Sequence, residues 1–71
     1  MSQRYAILID KWKRAEAAAH DAEKVISNAY QSYFAGAGKP PTDEQIAAAR
    51  QLRKVARDEL DAAMSYLRAY R

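Results

Sequence analysis

Arg50, Arg53, Lys54 and Arg57 follow one another at three- and four-residue steps, the spacing of one helix side. Four cations in such a row, with Gln51 beside them, could lie along a phosphate backbone. The row also carries its own neutralisation. Asp58 stands four residues after Lys54 and Asp61 four after Arg57, where helical ion pairs form. Glu23 is expected across the seam from Arg53 and Arg57, and Arg50 and Arg53 are left as the least compensated members. Nucleic-acid binding along this face is therefore the alternative reading, set against an ordinary solvated helix side.

Other stretches invite chemistry and fall short of it. His20, with Glu16 four residues before and Glu23 three after, has metal-ligand types. Metal sites in helical bundles place Glu-x-x-His inward from several helices, whereas here the order is His20-x-x-Glu23 at the edge of an apolar stripe. The segment "FAGAGKPPTDEQ" carries a Gly-Lys pair, but Tyr33 stands where a phosphate loop needs its first glycine, and Pro40 where it needs a hydroxyl. Pro40 and Pro41 have no amide hydrogen to offer an anion. Trp12 between Lys11 and Lys13 suggests base stacking, yet its heptad position assigns the ring to the core. Ser27, Ser32 and Ser65 have no histidine at hand, so no nucleophile, base and oxyanion donor converge. The expectation is a non-enzyme with no metal, no cofactor and no small-molecule substrate.

The elements carrying these residues are easily drawn. Both glycines and both prolines fall between Gly36 and Pro41, and the flanks are rich in Ala, Arg, Glu, Lys, Gln and Leu. Gly36 suits a left-handed closure of the first helix, and Thr42 with Gln45 forms a capping box for the second. The pattern predicts one all-α domain over residues 1–71: a helix from about Ser2 to Ala35, a turn at 36–41, and a helix from about Thr42 to Tyr70.

Placing Tyr5 at an a position makes Leu8, Trp12, Ala15, Ala19, Ala22, Ile26, Ala29 and Tyr33 an uncharged seam. The second helix offers Ile46, Ala49, Leu52, Ala56, Leu60, Ala63, Leu67 and Tyr70, with a stutter at Leu52–Ala56–Leu60 that should locally unwind the supercoil. Folding the chain at the turn sets Tyr33 against Ile46, Ala22 against Ala56, Trp12 against Leu67 and Leu8 against Tyr70. The result is an antiparallel, coiled-coil-like hairpin with an alanine-rich seam.

Such a hairpin is short of buried surface. The chain has 71 residues and no cysteine, and alanine supplies much of its hydrophobic fraction of 49%. Ile9, Val25 and Tyr30 on the first helix, with Val55, Met64 and Tyr66 on the second, sit just outside the seam. Together with Trp12 they are the candidate dimer or partner interface, and two hairpins would bury them in a four-helix bundle. Aromatics gather at both ends, Tyr5, Trp12, Tyr66 and Tyr70 at one and Tyr30, Tyr33 and Phe34 at the other. The net charge of +3 is spread evenly: five basic and four acidic residues over 2–35, six and five over 42–71. A dedicated nucleic-acid arm is more lopsided. No apolar run spans a bilayer, and Met1–Leu8 lacks the apolar core of a secretory signal. The expected location is the cytoplasm, away from membranes. The reading is a small protein-interaction module, adaptor or inhibitor, that forms a homodimer and binds a protein partner through its helix faces.

Overall fold

The computed structural model describes residues 3–69. They form two α-helices, α1 (Gln3–Phe34) and α2 (Asp43–Ala69), packed antiparallel into a rod 54 × 16 × 15 Å. Ser2 and Tyr70, assigned above to the helix ends, lie outside the described residues, and so does the expected Leu8–Tyr70 pairing.

Local chemistry sets the helix boundaries. At the end of α1, Gly36 adopts φ 76°. Its N–H donates to the Tyr33 carbonyl at 3.0 Å, and the Ala37 N–H donates to the Ser32 carbonyl at 2.8 Å. These two bonds make a Schellman closure, which satisfies carbonyls that the helix end would otherwise leave bare. At the start of α2 the capping box is formed reciprocally. The Gln45 N–H donates to Thr42 Oγ1 at 3.1 Å, and the Thr42 N–H donates to Gln45 Oε1 at 2.9 Å. Asp43 and Glu44 then sit at the positive end of the α2 dipole, with Arg68 near its negative end.

Between the caps the chain doubles back along the last turn of α1. A Cβ on Gly38 would stand 3.3 Å from that of Ser32, and Pro41 is buried. The loop therefore occupies the side of α1 that the sequence pattern had assigned to the start of α2. Tyr33, expected opposite Ile46, is instead 47% exposed, and Phe34 is 79% exposed. At the other end Tyr5 stacks on Tyr66 with ring centroids 6.3 Å apart. Arg53 bridges Glu16 and Glu23. The expected pairing put Tyr66 beside Trp12 and set Glu23 across from Arg53, a contact that forms. The Tyr5–Tyr66 stack and the Arg53–Glu16 bond require α2 to sit about seven residues nearer the N-terminus of α1, a slip of one heptad. A slip of seven keeps every seam residue on the seam, so the stripe survives while the partners change.

The seam of α2 can also be drawn without the predicted stutter. Along α2 the buried alanines are Ala49, Ala56 and Ala63, spaced by seven, and Arg53 is half-buried alongside Leu52. Steps of three and four through Ile46, Ala49, Arg53, Ala56, Leu60, Ala63 and Leu67 need no irregularity once an arginine is allowed on the seam. Reading only apolar types made Leu52 the seam residue.

Candidate interaction surface

Two sides flank the seam, and the bridge from Arg53 tells them apart. Nε of Arg53 donates to Glu23 Oε2 at 3.0 Å, Nη2 to Glu23 Oε1 at 2.6 Å, and Nη1 to Glu16 Oε2 at 2.6 Å. Glu16 and Glu23 are seven residues apart and share a side of α1, with Ala19 between them. Ala19 is the one residue of α1 that is fully buried among those described. The forked bond from Arg53 holds the Glu23 carboxyl below its ordinary range, and the two carboxylates, Glu23 foremost, raise the Arg53 guanidinium above its own. Lys54 donates to Asp58 at 2.8 Å, and that bond raises its ammonium pKa.

The expected basic row is thus divided. Arg53, read as one of its least compensated members, is the most engaged: it meets Glu23, the expected partner across the seam, and the slipped register adds Glu16. Lys54 has the partner foreseen for it. Arg50 and Arg57 have no ion pair among the described residues, and they border an open hollow of about 340 Å³ floored by Ile26, Ile46 and Ala49. Arg57 does not take up the foreseen pair with Asp61. Glu16, foreseen beside His20, faces Arg53, and among the described residues no cluster of His, Cys, Asp and Glu could hold a metal ion.

The candidate interface residues fall on different sides. Met64 follows Arg57 by seven, and Ile9 precedes Glu16 by seven, so both belong to the charged side. Val25 and Val55 stand two residues, about 200° of helix, from Glu23 and Arg53, which places them on the opposite side. There Val25 is 52% and Val55 37% exposed. Tyr66 joins that side, half-buried against Tyr5, and Trp12 is half-buried at the seam. Tyr30 lies beyond the end of α2, stacked on Phe34 at 5.9 Å, and Tyr33 tilts against Phe34 at 5.5 Å. Ile7, 57% exposed, was missed. It precedes Val25 by 18 residues, five full turns, and that spacing was the available signal.

Geometry alone defines the class here: a two-helix, all-α hairpin with one charged and one apolar side. No family of proteins, no curated protein and no solved structure matches the chain. Among the described residues no helix is long and apolar enough to cross a membrane.

Proposed function

We propose that the chain is a small non-catalytic protein-interaction module, an adaptor or an inhibitor, that assembles as a homodimeric four-helix bundle and meets a protein partner through its helix faces. One observation carries this reading. Among the described residues the buried ones are Ala19, Ala49, Ala56 and Ala63 together with Pro41, and no large side chain is fully buried. Alanine removes little apolar area from water, while Ile7, Val25 and Val55 stay exposed on one side of the rod. A fold whose large apolar groups have nowhere to go inside its own chain is completed by another chain. Sedimentation at low micromolar concentration tests this: the expected result is a dimer, and a stable, folded monomer overturns the reading.

The nucleic-acid alternative draws support from Arg50 and Arg57 alone, two cations two turns apart beside a hollow. Arg53 and Lys54 are already neutralised by carboxylates, which weakens the row as a phosphate track. A salt-sensitive mobility shift that Arg50→Glu with Arg57→Glu abolishes would favour it. No shift at low salt removes it.

A further inference from the structure

The apolar side repeats a heptad of its own. Ala48, Leu52, Val55, Glu59, Ala62 and Tyr66 follow steps of four and three, one position ahead of the seam residues Ala49, Arg53, Ala56, Leu60, Ala63 and Leu67. Two adjacent stripes on one helix are the mark of a helix with two helical neighbours, as in a bundle. The hairpin supplies only one neighbour. On α1 the same side presents Ile7, Lys11, Arg14, Ala18 and Val25, with Arg14 already paired to Asp10 at 3.0 Å.

Area and charge indicate what covers it. The chain exposes 5677 Å², whereas a compact protein of 8.0 kDa exposes about 4,450 Å² by size scaling. The excess of about 1,200 Å² is of the order that one protomer of a stable homodimer gives up. Lys11 lies six residues above Tyr5, and Glu59 seven before Tyr66, so the Tyr5–Tyr66 contact sets them at one height. Neither has an ion pair or hydrogen bond among the described residues, although Glu59 is half-buried. On the charged side Glu16, Glu23 and Asp58 are all satisfied.

We propose that a second copy of this chain docks on the apolar side about a two-fold axis running along the rod. This deepens the module reading and rests on it. Each α1 then lies antiparallel on the α2 of its partner, in the register it keeps with its own α2, and Lys11 faces the partner's Glu59. Both turns lie at the same end of the bundle. The centred end-for-end alternative lays α1 on the partner's α1, and sets Lys11 near the partner's Val25 with no carboxylate to meet it.

The chain has no cysteine, so a nitroxide on Lys39→Cys reports one distance per dimer. With helices about 10 Å apart, the expected label separation is below about 30 Å. A separation near the 54 Å length of the rod overturns the arrangement and leaves the module reading standing. A folded monomer with no dipolar coupling overturns both. Val55→Lys should raise the dimer dissociation constant at least about tenfold, the change expected when a charge enters an apolar interface. Met64→Lys, on the other side, should leave it unchanged, and the reverse pattern sinks the proposal. Lys11→Glu should weaken the dimer and Lys11→Glu with Glu59→Lys restore it; failure of the double variant to recover counts against the pairing. Circular dichroism of each variant separates lost association from lost helix.

Discussion

The two sides of the hairpin solve one problem differently. On the charged side a half-buried arginine spends all three of its guanidinium nitrogens on two glutamates of the other helix, so the two helices are tied there within one chain. The opposite side has exposed valines and alanines beside a half-buried leucine, and a half-buried glutamate with no cation among the described residues. Electrostatic complementarity fixes register inside the hairpin, whereas apolar surface without directional contacts leaves a place for another molecule. Specificity and adhesion are thus assigned to separate sides of the same rod.

Substitutions can break that contrast, beginning with the seam both sides share. Ala56→Leu forces a larger side chain into a position 1% exposed, and should cost about 1–3 kcal/mol in urea unfolding. Ala47→Leu, exposed on α2, should cost less than about 0.5 kcal/mol. Equal effects would mean the helices are not in close contact at Ala56. Arg53→Met should lower the thermal midpoint by several degrees, the scale of a lost two-helix tie in so small a domain. Arg53→Lys should recover only part of the loss, because an ammonium cannot reproduce the fork.

A smaller effect sharpens the electrostatic half. The folded-state pKa of Glu23 lies below its ordinary value of about 4.5. The unfolded chain therefore binds more protons in that range, and stability from this group is present above the ordinary value and lost as pH falls through the folded value. Acid titration of the thermal midpoint should show this decline, and Glu23→Gln should flatten part of it. An unchanged profile would mean the bridge contributes nothing in solution. Smallest of all, Asp10→Asn should leave the midpoint unmoved within error. Its pair with Arg14 spans 3.0 Å with both side chains mostly exposed, and such surface pairs contribute little.

Much of this fold was legible without coordinates. Thr42 and Gln45 sit three residues apart, and Gly36 follows the last helical stretch, so the caps were readable because each is settled by atoms within five residues. The alanine stripe of α2 was readable for the same local reason. Val25, Val55 and Tyr66 were recognised as lying outside the seam, but their separation from Ile9 and Met64 was not. The Glu23–Arg53 contact across the seam was readable, whereas the second bond from Arg53, to Glu16 thirty-seven residues away, was not.

Composition and spacing by themselves determined that there are two helices, where the first ends and the second begins, and the alanine stripe that turns inward on the second, since helix propensity and capping are short-range. Only the tertiary structure decided the alignment of the two helices. A seven-residue repeat looks the same after a shift of seven. The choice fell to the loop packed on Ser32, the tyrosine stack at the open end, and an arginine that a search for apolar residues passes over.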